Sequence, residues 1–166
     1  MVVKKTPGVV KFFGGKYWYF SNFAATPVAG SPTVEHAYQA AKFRRAPSER
    51  RSLKKWWRRW QYRQRILEAP NPAIAKKIAN DPEAQELIRP DWFDVRVKIM
   101  KAFIWEKVLI DPYIEENLLA TGDALIVEDS PRDAFWGRGP DGNGQNMLGK
   151  IWMEVRTELR KKREKS

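Results

Sequence analysis

A short helix near the N-terminus carries the first group of residues that could do chemistry. Ser and Pro open residues 31–43, and both are N-terminal helix signals. Glu35, Gln39 and Lys42 follow at i, i+4 and i+7, which places them on one polar face. We expect the positive end of the helix to lower the Glu35 pKa and keep the carboxylate charged. The same pattern is also typical of a capped surface helix with a polar row.

The second group lies in a glycine-rich loop that runs from Asp133 to Asn146. Asp133 precedes a Phe-Trp pair, and an acid beside large aromatics is where a pKa can be raised and a planar ligand stacked. The glycines, Gly137 among them, either let backbone N–H groups approach a phosphate at a helix start or form only a flexible connection. The glycine spacing matches the letters of a dinucleotide fingerprint, but no βαβ unit surrounds it, so that site is excluded.

One carboxylate at a helix start and another before a glycine loop suit a reaction at a sugar carbon. Such reactions pass through a cationic, oxocarbenium-like state that carboxylates stabilise while water attacks the anomeric carbon. The chain has no Cys and a single His, which excludes disulfides, thiolate catalysis and metal sites built from Cys or several His. We therefore expect no metal and no cofactor to be needed.

The formal net charge of +11 is concentrated in one internal segment and a short tail. Residues 42–65 contain eleven Lys or Arg and one acid, and residues 160–166 contain five Lys or Arg and one acid. Within the internal segment, Trp56, Trp57 and Trp60 share one helical face. They are either core tryptophans with solvated charges opposite, or an aromatic and basic platform for nucleic acid. Helical spacing favours burial, so we expect Lys54, Lys55, Arg58 and Arg59 to be the solvated residues.

The remaining patterns predict a mainly α protein with a small β-sheet, of the α+β class. We expect one domain over residues 1–166, with flexible ends at 1–7 and 161–166. A hairpin of 9–13 with 17–20 supplies the sheet, and a brief strand at 124–127 precedes the last helix. Capping and periodicity predict the helices, which should cover residues 31–43, 48–68, 92–109, 112–122 and 146–162, with two further helices that start at Pro72 and at Pro82. No apolar run approaches membrane-spanning length, so we expect a soluble, cytoplasmic protein.

The chain resembles the NADAR or YbiA-like family over residues 9–160. The resemblance rests on short motifs that keep the family's order along almost the whole sequence. These are Phe20-Ser-Asn-Phe-Ala24, Thr33-Val-Glu-His-Ala-Tyr-Gln-Ala-Ala-Lys-Phe43, Trp92 at a helix start, Asp133-Ala-Phe-Trp-Gly137, Gly142-x-Gly144-x-Asn146-x-Leu-Gly149 and Trp152-Met-Glu-Val-Arg156.

The resemblance implies a YbiA-like fold and an N-glycosidase that hydrolyses the C–N bond between a base and phospho- or ADP-ribose. Riboflavin-biosynthesis intermediates and ADP-ribosylated guanine are the substrates known in the family. By the same resemblance Glu35 and Asp133 are catalytic. The implied substrate-binding residues are Trp92 and Trp136 as stacking or wall residues, Asn22, Lys42 and Asn146 as ribose and phosphate ligands, and Gly137.

Glu35, Trp92 and Asp133 should then line one concave surface. The sequence departs from the family in segment 44–68, which is longer and more basic than usual and leaves the substrate open. The alternative function is a non-catalytic module that binds nucleic acid or ADP-ribose through residues 44–65.

Overall fold

The structure is a computed structural model that describes residues 8–165. The predicted flexible end at residues 1–7 lies outside the described residues. Two short strands are present, β1 (Val9–Phe12) and β2 (Leu125–Glu128). The described α-helices are α1 (Val34–Ala41), α2 (Leu53–Leu67), α3 (Pro72–Ala79), α4 (Pro82–Gln85), α5 (Trp92–Ile110), α6 (Pro112–Ala120) and α7 (Met147–Arg163). The mainly α fold with a small sheet is confirmed, and within the described residues no helix is long and apolar enough to cross a membrane.

The described chain divides into two compact units. One consists of residues 8–21 and 108–165, and the other is Asn22–Lys107. The interpretation of residues 1–166 as a single domain stays a prediction. At the C-terminal end, α7 continues to Arg163, beyond the predicted start of a flexible tail at residue 161.

The first unit contains the sheet, and the predicted hairpin is wrong. β1 pairs in parallel with β2, in the register Val9 with Leu125 and Phe12 with Glu128. Residues 17–20, expected as the second hairpin strand, belong instead to a 3₁₀ segment, Gly15–Phe20, that begins at a glycine with a φ of 68°. Its aromatic run does not alternate, and the one residue buried in it is Phe20, whose ring packs 4.7 Å from that of Trp152 in α7. Because residues 17–20 do not form a strand beside β1, β1 pairs instead with β2, which lies far along the chain.

In the Asn22–Lys107 unit, α1, α2 and α3 pack against one another around a small core. Phe43 stacks on Tyr62 with ring centroids 5.6 Å apart, and Ile66 is fully buried. Alanines at 40, 75 and 79 let the three helices approach closely. This packing fixes α1, the helix that carries the predicted chemistry.

The expected burial of the tryptophans on α2 is wrong. Trp56, Trp57 and Trp60 are 57%, 50% and 39% exposed, whereas Arg59 is 4% exposed. The inward face of α2 is formed by Arg59, Tyr62 and Ile66, at i, i+3 and i+7. Arg59 can be buried because its guanidinium donates to the Leu87 carbonyl at 2.6 Å and to both Glu49 carboxylate oxygens, at 2.7 and 3.0 Å.

We predict that Arg59→Ala costs about 3 kcal/mol of unfolding free energy, because the Leu87 carbonyl loses its buried donor and the Glu49 carboxylate keeps only Lys55 and the Ala46 N–H. Urea unfolding followed by circular dichroism measures this. Arg58→Ala is the matched control: Arg58 pairs with Glu86 on the surface, and such pairs contribute at most about 1 kcal/mol. A loss in Arg59→Ala no larger than in Arg58→Ala would contradict the assignment.

The ion pair between Arg59 and Glu49 should also make the stability of the fold depend on pH in the acid range. Arg59, as a hydrogen-bond donor, is the main group that lowers the Glu49 pKa from 4.5 to about 2. A carboxyl with a lowered pKa stabilises the fold above its unfolded pKa. This contribution is therefore lost as pH falls from 4.5 towards 2, and Arg59→Ala should lack that part of the acid unfolding profile.

Candidate active site

The start of α1 is held by a cap that also fixes His36. The Thr33 hydroxyl accepts from the His36 backbone N–H at 3.3 Å and lies 2.8 Å from His36 Nδ1. His36 Nε2 lies 3.1 Å from the Ala69 carbonyl, which can only accept, so Nε2 donates to it. His36 thus links α1 to the end of α2. This structural role explains a lone histidine next to Glu35.

Glu35 lies in the first turn of α1 and is 6% exposed. Its backbone N–H donates to the Asn22 carbonyl at 3.0 Å, and its Oε1 accepts from Gln39 Nε2 at 2.7 Å. Burial raises the pKa of the carboxyl, opposed by the Gln39 hydrogen bond and by the charges of Lys76 and Lys42. The expected lowering of this pKa is therefore wrong, because loss of hydration outweighs the helix end. A carboxyl whose pKa lies above its ordinary value is a better proton donor or acceptor for a reaction than one fixed in the charged form.

Lys42 follows Glu35 on the same side of the helix and is 9% exposed. Its Nζ donates to Asn80 Oδ1 at 3.3 Å. Burial lowers the Lys42 pKa to about 8, and the charge of Glu35 opposes that effect while Lys76 adds to it. Lys42 is therefore a buried cation that is charged at neutral pH and loses its charge as the pH rises through about 8.

Two side-chain amide oxygens, one on α1 and one well before it in the chain, are buried without a hydrogen-bond partner among the described residues. Asn22 Oδ1 and Gln39 Oε1 have no hydrogen-bond partner among the described residues, although the Gln39 amide nitrogen is bonded to Glu35. A buried acceptor without a donor is costly, and a ligand hydroxyl or amine would satisfy it. Asn22 was a predicted site residue. Gln39 was seen only as part of a polar row, yet its i+4 spacing from Glu35 was the signal for it.

Trp92 opens α5 and is 4% exposed. Its ring packs on that of Tyr38, one turn after Glu35 on α1, with centroids 5.0 Å apart and planes at 53°. This burial favours a wall residue over an open stacking face. Its substrate contact stays a prediction.

Asp133 lies in the other unit and caps a tight turn. Its Oδ1 accepts from the backbone N–H groups of Phe135 at 3.0 Å and Trp136 at 2.7 Å. Oδ2 has no hydrogen-bond partner among the described residues, so this oxygen can still interact with a ligand. The half-buried Trp136 ring stands edge-on to Phe135, with centroids 4.9 Å apart.

The glycine loop is closed on itself by backbone hydrogen bonds, which makes it neither an open phosphate cradle nor a slack connection. The N–H groups at its junction with α7 are already donated within the loop. Asn146 N bonds Gly137 O at 3.0 Å, Met147 N bonds Phe135 O at 3.0 Å, and Leu148 N bonds Trp136 O at 3.1 Å. A Cβ on Gly144 would collide with the Gly137 carbonyl, and one on Gly149 with the Ile126 carbonyl. Close packing is therefore what requires these two glycines.

Asn146 has both ends of its side chain occupied by β2. Its Nδ2 donates to the Ile126 carbonyl at 2.9 Å and its Oδ1 accepts from the Glu128 N–H at 2.9 Å. With a φ of 50°, the residue adopts the left-handed conformation that asparagine tolerates. These bonds give Asn146 a positioning role, and direct contact with ribose or phosphate stays a prediction, as it does for Gly137.

The structure thus groups the predicted residues by unit. Asn22, Glu35, Lys42 and Trp92 lie in Asn22–Lys107, and Asp133, Trp136, Gly137 and Asn146 lie in the other unit. The predicted meeting of Glu35 with Asp133 stays a prediction. Sequence reasoning missed Asn80, which accepts from Lys42, and Lys76, whose charge lowers the Glu35 pKa, because no local pattern marks partners from a later helix.

Comparison with known proteins finds relatives over most of the chain. Residues 11–160 match the NADAR domain family. N-glycosidase YbiA of Escherichia coli is 33% identical over 86% of this chain and 82% of its own length. A riboflavin biosynthesis protein of Vibrio vulnificus is 37% identical over 85% of this chain, which spans about a third (35%) of that protein. The NMR structure of E. coli YbiA matches with a TM-score of 0.78 and 31% identity, covering 98% of this chain and 90% of that one.

Proposed function

We propose that this chain, which belongs to the NADAR domain family, is a hydrolase that cleaves the N-glycosidic bond between a base and a phosphorylated ribose. The observation that carries the proposal is the buried Glu35 carboxyl, which accepts from Gln39 and whose pKa is raised by burial against the opposing charges of Lys76 and Lys42. The names of the relatives, N-glycosidase and riboflavin biosynthesis protein, support this reaction and intermediates of the riboflavin pathway as the substrate class.

In the proposed reaction, water adds to the anomeric carbon while the bond to the base nitrogen breaks. The water gives up a proton and the leaving base nitrogen gains one; Glu35 accepts the first or donates the second, and burial raises its pKa above the ordinary 4.5 for that role. The unpartnered oxygens of Asn22 and Gln39 accept hydrogen bonds from substrate hydroxyl or amine groups. The negative charge of Asp133 stabilises the ribosyl cation through Oδ2. Trp92 and Trp136 lie against the base.

A panel of N-ribosides tests the proposal. The protein is incubated with phosphorylated riboflavin-pathway intermediates, nicotinamide and purine ribotides, and ADP-ribosylated guanine, and free base is scored by mass spectrometry. Release of a base by the native protein but not by Glu35→Gln supports the function. No release from any member of the panel would contradict it.

Lys42 predicts how binding depends on pH. Because its pKa is lowered to about 8, the cation is lost as pH rises through that value, and affinity for a substrate phosphate should fall. We expect KM for the phosphorylated substrate to rise roughly tenfold per pH unit well above pH 8, once substrate binding requires the charged form. Lys42→Arg should move this rise to higher pH, since arginine stays charged.

The dephosphorylated riboside is the control, because its KM should not follow the charge of Lys42. A KM for the phosphorylated substrate that stays flat to pH 10 would remove Lys42 from phosphate binding.

A further inference from the structure

The exposed tryptophans of α2 form a continuous aromatic surface. Trp57 and Trp60 are stacked, with ring centroids 4.9 Å apart and planes at 17°, and Trp56 lies 6.2 Å from Trp57. All three are at least 39% exposed, beside Leu53 at 87%. Three adjacent indoles in water are a platform on which flat rings can stack. We call Trp56, Trp57 and Trp60 the tryptophan patch.

Cations without carboxylate partners surround the tryptophan patch. Arg44, Arg50, Arg51 and Lys54 are exposed and, within the part of the chain that the structure describes, make no ion pair. The one acid of the segment, Glu49, is already bonded to Arg59 and Lys55. The positive charge here is therefore available to an external anion.

A cavity of about 620 Å³ joins the two features. Phe43, Trp56 and Trp60 line it together with cations that include Arg44, Arg51 and Arg63, and none of the predicted catalytic residues contributes to it. Arg63 Nε is buried there without a hydrogen-bond partner among the described residues. Burial and the neighbouring charge of Arg44 lower the Arg63 pKa. An anion bound in this cavity would stabilise the charged guanidinium and offset its repulsion by Arg44.

Shape and charge together indicate the occupant. The cavity has the size of a site for one small ligand, but Trp57 does not line it and continues the surface along α2, whose 15 residues span roughly 22 Å. An acidic peptide would pair with the cations but would not stack on three flat indoles. In a double-stranded nucleic acid the base faces are already stacked on one another and cannot stack on the indoles. A single strand offers a row of phosphates and unstacked bases.

We infer that the tryptophan patch and its surrounding cations bind single-stranded nucleic acid, with bases stacked on the indoles and phosphates paired with arginine and lysine. The patch acts without sequence preference, since every base has a face that can stack. This binding does not depend on the proposed hydrolysis. Glu35→Gln should therefore bind a strand as the native protein does.

Fluorescence anisotropy with a labelled oligothymidylate, measured from low to moderate salt, tests the electrostatic part. The triple variant Arg50→Gln, Arg51→Gln, Lys54→Gln should bind more weakly and lower the slope of log affinity against log salt by about 2. The matched control removes three exposed lysines elsewhere, as Lys150→Gln, Lys161→Gln, Lys165→Gln, and should leave the slope close to native. Equal losses in both triple variants would show that only net charge matters and would overturn the inference.

Stacking is tested separately with Trp57→Ala, which should lower affinity about tenfold or more, while Trp57→Phe should restore most of it. Trp18→Ala, which removes an indole that is 43% exposed in the other unit, should have no effect. No binding at low salt would overturn the inference. So would self-association of the native protein that Trp57→Ala abolishes while oligonucleotide binding stays undetectable, because a second copy would then cover the patch.

Discussion

Glu35→Gln is expected to lower turnover by about 10²–10⁴-fold while the protein stays folded. The variant keeps the size of the side chain and an oxygen that accepts from Gln39, so the start of α1 should be undisturbed. It removes the carboxyl that exchanges the proton in the proposed mechanism. Turnover on the substrate identified from the riboside panel, together with a thermal unfolding curve, measures both effects.

The control for this prediction is Glu68→Gln, which neutralises an exposed glutamate at the end of α2 and should be fully active. The pH dependence adds a sharper test, because burial places the Glu35 pKa above the ordinary 4.5. A limb in kcat/KM above that range should be present in the native protein and absent from Glu35→Gln. A limb that rises with pH assigns Glu35 as base, and one that falls assigns it as acid. Near-native turnover in a folded Glu35→Gln protein would exclude it from the mechanism.

Asp133→Asn is expected to lower turnover about a hundredfold with little loss of stability. Asparagine keeps the oxygen that accepts from the Phe135 and Trp136 N–H groups, but it removes the negative charge. Asp133→Ala should reduce turnover and also cost about 1 kcal/mol, because the turn then loses its cap. Comparing the two variants separates the charge from the cap.

Asp141→Asn provides a matched control in the same loop. Asp141 also accepts from a backbone N–H, that of Asn143 at 3.0 Å, and it is exposed, so this variant should keep full turnover. If Asp133→Asn were as active as Asp141→Asn, Asp133 would be a structural cap and the two-carboxylate mechanism would be wrong.

Local signals in the sequence were enough to predict which segments are helical, although α1 begins at Val34 rather than at Ser31-Pro32 and α2 begins at Leu53 rather than near Ser48. Thr33 caps α1, Asn71, Asp81 and Asp111 each precede a proline that starts a helix, and the long periodic runs became α5 and α7. The placement of Glu35, Gln39 and Lys42 on one side of α1 follows from spacing alone. These features depend on residues within a turn or two of one another, which the sequence displays directly.

Only the tertiary structure decided which face of α2 is buried, which strand pairs with β1 and how Glu35 titrates. An amphipathic helix can bury either of two faces, and Glu49 with the carbonyl of Leu87 made burial of Arg59 favourable and left the tryptophans in water. The Glu35 pKa likewise depends on how many groups from other elements exclude water around it. Such outcomes depend on partners distant in the chain, and spacing within one segment carries no information about them.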